Sequence, residues 1–112
     1  MCAAIAPYGS VRKEVRAMIE PLGGFVLVYM ATPLATCEAR DRKGLYAKAR
    51  AGLTRNFTGI SDPYEPPKDA AVVIDAPQFS PGQAAQKIVC YLEREGYVSA
   101  ARPSGVAVAA FA

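Results

Sequence analysis

Apolar residues gather in three short runs with little polar alternation: Cys2–Ala6, Phe25–Met30 and Ala71–Ile74. Runs of this kind predict strands covered on both faces, as in a parallel sheet. Between them the pattern changes to helical spacing. Ser10 is a candidate N-cap for a helix over Val11–Glu20, with Val11, Val15, Met18 and Ile19 on one face and Arg12, Lys13, Glu14 and Arg16 outward. Pro21 and Gly23-Gly24 stop it. Thr32-Pro33 reads as the cap and first position of a short helix to about Glu38, and a second helical piece spans Leu45–Ala51. Ser80-Pro81 opens a last helix to about Glu95, with Ala84, Ile88, Tyr91 and Leu92 on its apolar face and Gly96 closing it. Strands alternating with helices predict an α/β layer architecture with a mostly parallel sheet. The tail from Ser99 to Ala112 shows no clear pattern.

Composition removes several alternatives. A chain of 112 residues, 52% hydrophobic and 21% charged, fits one globular domain. No His is present, so Ser-His-Asp and Cys-His catalysis and His-based metal sites are excluded. The cysteines Cys2, Cys37 and Cys90 are widely spaced with no CxxC, which reads as buried, reduced thiols in a cytoplasmic protein. No stretch reaches the roughly 20 apolar residues of a membrane span. Met1–Ile5 is too short for a signal peptide. Neither a membrane nor a nucleic-acid partner is expected.

The modest net charge of +3 conceals a concentration of charge. Arg40, Arg42, Lys43, Lys48, Arg50 and Arg55 lie together with one acid, Asp41, giving +5 in that stretch and −2 elsewhere. Bounded by Gly44, Gly52 and Gly59, the segment reads either as an exposed helix with solvated charges or as a lid that closes over an anion. A nucleic-acid patch is disfavoured because interleaved aromatics are lacking.

The same segment carries a resemblance. Cys37-Glu38-Ala39-Arg40-Asp41-Arg42-Lys43-Gly44-Leu45-Tyr46-Ala47-Lys48-Ala49-Arg50-Ala51-Gly52, followed by Asn56-Phe57-Thr58-Gly59-Ile60 and Pro63-Tyr64-Glu65, closely resembles adenylylsulfate (APS) kinases. Ile5-Ala6-Pro7-Tyr8, Gly24–Val28 and Val73-Ile74-Asp75 agree, so the likeness covers about residues 2–98. The wording is most similar to the kinase domain fused to sulfate adenylyltransferase in bacteria.

This resemblance implies a P-loop nucleoside-triphosphate-hydrolase-like fold. It also implies transfer of the ATP γ-phosphate to the 3′-hydroxyl of adenosine 5′-phosphosulfate, with Mg²⁺ assisting, in sulfate assimilation. By position, Ile5, Ala6, Lys43, Asn56 and Phe57 would bind adenylylsulfate, with Phe57 stacking on adenine. Arg40, Phe79 and Ala84 would serve ATP, the last two by spacing alone. The full enzyme would be a homo-oligomer. Ala6 stands where many relatives carry a phosphorylatable Ser.

Departures are equally specific. No G-x-x-x-x-G-K-[ST] loop occurs, so the expected phosphate cradle and Mg²⁺ ligands are missing. The chain is therefore expected to be the C-terminal part of the kinase domain over residues 1–98, with its lid at about 40–60. Residues 99–112 are left as an unpatterned tail. The family's P-loop strand lies between the counterparts of the first two strands here, so a gap with unpaired backbone groups is expected. A partial gene, a natural remnant, one half of a split enzyme and a repurposed nucleotide-binding or assembly module are the alternatives, the first two preferred. On each, the chain alone is expected to be inactive.

Overall fold

The run Phe25–Met30 forms β2, and its middle residues Val26, Leu27 and Val28 are buried, as the absence of polar alternation predicts. The computed structural model describes residues 1–99, 102–103 and 107–111. Before β2 come β1 (Cys2–Ala4) and α1 (Gly9–Ile19); after it come α2 (Leu34–Arg40), α3 (Leu45–Arg50), β3 (Val72–Ile74) and α4 (Pro81–Arg94). Three further strands follow: β4 (Val98–Ser99), β5 (Arg102–Pro103) and β6 (Ala107–Phe111). The main sheet has the order β1-β6-β2-β3 with every pairing parallel, and β4 and β5 form a separate antiparallel pair.

Alternate residues of β2 feed opposite faces. Val26 and Val28 join Val72, Ile74 and Leu92 in one cluster, against which Phe79, Ala84, Ile88 and Tyr91 pack. Leu27 faces the other way, with Ala6, Phe25 and Ala70. The start of α4 follows its sequence signal closely. Ser80 Oγ accepts from Gln83 N while Gln83 Oε1 accepts from Ser80 N, with Pro81 at the first helical position.

Several expectations need correction. Instead of a buried strand over Cys2–Ala6, β1 is shorter and its three residues are exposed, because it pairs with β6 along one side and forms an edge of the sheet. No gap separates β1 from β2. β6 occupies the slot, with Ala109 opposite both Cys2 and Leu27, and so pairs backbone groups that would otherwise be stranded. The tail thus contains a central strand, although its residues 100–101, 104–106 and 112 lie outside the described residues.

The start of α1 also differs. Ser10 lies inside the helix, and the Gly9 amide instead donates to Glu65 Oε2 at 2.8 Å. Arg12, expected to face solvent, is only 5% exposed, because backbone acceptors and an aromatic face await it there. Val11 and Met18, expected on the buried face, are exposed. Cys2 and Cys90 are exposed and Cys37 is half-buried, so the thiols are not deep fillers. Among the described residues no helix is long and apolar enough to cross a membrane.

Candidate functional site

Parallel strands present their carboxyl ends to a shared crevice, the common ligand position in open α/β sheets. Here a cavity of about 1000 Å³ opens there. Its floor is Tyr29, Met30 and Ala31 from the end of β2; Ile5, just after β1, forms one side. Leu34 and Cys37 of α2, Tyr46 of α3 and the returning segment from Asn56 to Tyr64 complete it.

The basic segment is built as a pair of short helices, not as an irregular loop. Gly44, with φ of 65°, makes the left-handed turn before α3. The Asp41 carboxylate then receives the amides of Tyr46 (3.1 Å) and Ala47 (3.0 Å), satisfying two donors that a helix start leaves free. Arg50 on α3 reaches back to Glu38 on α2 at 2.7 Å. Arg40, Arg42, Lys43, Lys48 and Arg55 are exposed and form no ion pair among the described residues. Their positive field is available to an anionic ligand.

Two aromatic pairs face the cavity. Tyr46 meets Phe57 edge-on, with centroids 5.1 Å apart, and Tyr29 stacks on Tyr64 at 6.2 Å. Burial, reinforced by Cys37 beside it, holds the Tyr46 hydroxyl above the usual tyrosine range. Burial also raises Tyr64, although Arg12 partly opposes the shift. Tyr64 Oη is buried without a hydrogen-bond partner among the described residues. Both phenols are therefore neutral at physiological pH.

Of the residues singled out in the sequence, Ile5, Asn56 and Phe57 meet around this cavity. Asn56 sits at φ of 53°, a conformation Asn tolerates better than most residues. Ala6 is not part of the lining; it packs near Leu27 with φ of 38°, and its carbonyl accepts from Arg12. Lys43 lies exposed in the turn between α2 and α3, and Arg40 is exposed at the end of α2. Phe79 and Ala84 are outside the lining and pack against the core beside α4. Sequence reasoning missed Tyr29, Cys37, Tyr46 and Tyr64 as cavity residues. Tyr46, Cys37 and Tyr64 lay within the motif that located Phe57, so that motif was the available signal.

A profile of the family described as adenylylsulphate kinase matches residues 1–75. The chain belongs to the adenylylsulphate kinase family. It is 46% identical over 99 residues to an adenylyl-sulfate kinase of Halothermothrix orenii, covering 88% of this chain and 52% of that protein. Against an adenylyl-sulfate kinase of a Synechococcus species it is 46% identical over 98 residues, covering 88% and 54% respectively. A sulfate adenylyltransferase of Neurospora crassa is 44% identical over 96 residues, which are 86% of this chain and 17% of that protein. The chain thus spans about half the length of the kinases it matches. Its small parallel sheet and α/β layering agree with a P-loop kinase-like domain of this family.

Proposed function

We propose that this chain supplies the adenylylsulfate-binding wall and lid of an adenylylsulfate kinase site. The reaction served would be ATP plus adenosine 5′-phosphosulfate to ADP plus 3′-phosphoadenosine 5′-phosphosulfate, a step of sulfate assimilation. The observation that carries this reading is the cavity beyond β1 and β2. It gathers Ile5, Asn56 and Phe57 from separate stretches of the family motif into one lining. Phe57, braced edge-on by Tyr46, offers a flat face to a purine. Ala6, outside the lining but next to Ile5 in the chain, would join this wall by its family position, and the exposed Lys43 would meet the phosphosulfate as a point charge. We assign the ATP side to Arg40, Phe79 and Ala84 from their family positions.

On this reading the phosphoryl-transfer machinery would come from outside this chain. The sequence holds no G-x-x-x-x-G-K-[ST] loop, and among the described residues no three His, Cys, Asp or Glu side chains converge as metal ligands. Mg²⁺ would be held with the ATP phosphates by the P-loop half, and no step through it is assigned to these residues. On this reading the chain represents the C-terminal part of the kinase domain. It would work with a P-loop half and, as in the relatives named sulfate adenylyltransferase, alongside an adenylyltransferase domain.

Calorimetry with adenylylsulfate and the full chain tests the proposal. Phe57→Ala removes stacking worth about 1–3 kcal/mol, so Kd should rise roughly fivefold to 150-fold. Lys43→Ala should weaken binding as well. No detectable binding by the unaltered chain would overturn the assignment. Turnover of ATP and adenylylsulfate by the 112-residue chain alone would overturn the division of labour.

A further inference from the structure

We propose that Arg12 is a positioning residue for the cavity, fixing the spacing of its two walls and through it the affinity for the sulfonucleotide; the ligand's identity rests on the reading above. Arg12 is a buried cation on α1 with no carboxylate partner among the described residues. Its guanidinium is spent on backbone. One terminal nitrogen donates to the Ala6 carbonyl at 2.7 Å and the other to the Glu65 carbonyl at 2.5 Å. Its carbon lies 5.7 Å from the centroid of the Tyr64 ring.

Those contacts join two segments that are distant in sequence. Ala6 adjoins Ile5 on one wall, and Glu65 adjoins Tyr64 on the other. The join is doubled by the Glu65 amide donating to the Pro7 carbonyl at 2.8 Å. It also holds strain, because Ala6 has φ of 38°, a region that L-residues other than Gly, Asn and Asp rarely adopt. A planar fork can hold two carbonyls at a fixed separation, whereas an ammonium is a point donor. Shape, and not charge alone, is what the position requires.

The test uses the full chain with Arg12→Lys and Arg12→Ala. Affinity for adenylylsulfate is measured by calorimetry, and exchange of the Glu65 amide by hydrogen–deuterium exchange. Arg12→Lys keeps the charge but not the fork. It should lose about tenfold in affinity, the scale of one hydrogen bond to a charged group. Both variants should lose protection at Glu65, and millimolar guanidinium should restore binding to Arg12→Ala where methylammonium does not. Arg12→Lys binding within twofold of the unaltered chain would overturn the proposal. So would unchanged Glu65 protection in both variants, a result that is read without ligand. Should the unaltered chain bind no adenylylsulfate, the functional reading fails and the exchange data alone decide the role of Arg12. If Arg12→Ala does not fold, Arg12→Lys carries both measurements.

Discussion

Replacing Asp41 with Ala should loosen α3 and, through Tyr46, the aromatic wall of the cavity. α3 has only six residues, too few to persist on propensity alone, since isolated helices below about 12–15 residues are marginal in water. Its first turn depends on the Asp41 carboxylate, whose oxygens receive the Tyr46 and Ala47 amides separately. Loss of a side-chain cap costs about 0.5–2 kcal/mol. At about 1.4 kcal/mol the folded fraction of the turn, relative to its frayed form, falls roughly tenfold. Tyr46 would then brace Phe57 in fewer molecules, and adenylylsulfate binding should weaken by up to the same factor. Amide exchange at Tyr46 and Ala47 reads the cap directly, and calorimetry reads its consequence. Asp41→Asn, which keeps one acceptor oxygen, should fall between the two. Unchanged protection of both amides in Asp41→Ala would refute the capping argument.

Tyr46 and Tyr64 both ionise above the ordinary value of 10.0, chiefly through burial. Above that pH the unfolded chain loses those protons first, so stability should decline as pH rises past it. An absorbance titration should show a late tyrosinate component that disappears in denaturant, and Tyr64→Phe should reduce it; no such component would contradict the burial. Ala109→Pro removes an N–H from a strand flanked on both sides and leaves its partner carbonyl without a donor. A cost of at least about 1–3 kcal/mol is expected, measured as a lower denaturant midpoint; an unchanged midpoint would refute the central placement of β6.

Legibility followed the range of the interactions. β2 was readable because Phe25–Met30 carries its own burial signal, and α4 because Ser80, Pro81 and Gln83 cap it locally. The motif of the basic segment led to Phe57 and Asn56, which line the cavity. Arg12 was misread because its partners, Ala6 and Glu65, are brought to it by the tertiary fold; on a helical wheel it belongs with its solvated neighbours Lys13 and Glu14. Glu65 as the acceptor for the start of α1 was hidden for the same reason. β6 was missed because its alanines have weak strand propensity, and its conformation is decided by the slot it enters. Asp41 was legible as the lone acid in a basic segment, but its task became visible only once α3 had a defined first turn.

The middle of the sheet is the last of its elements along the chain. β1, α1 and β2 follow one another closely, yet the two strands cannot zip together; each waits for a segment separated from it by α2, α3, β3 and α4. Closing so large a loop must precede the contacts that reward it, a feature of slow-folding topologies. While the slot is open, the backbone edge of β2 beside Val26, Leu27 and Val28 is a template for other chains. Recovery of this protein on refolding should therefore depend on dilution and on time, and more steeply than its native stability would indicate.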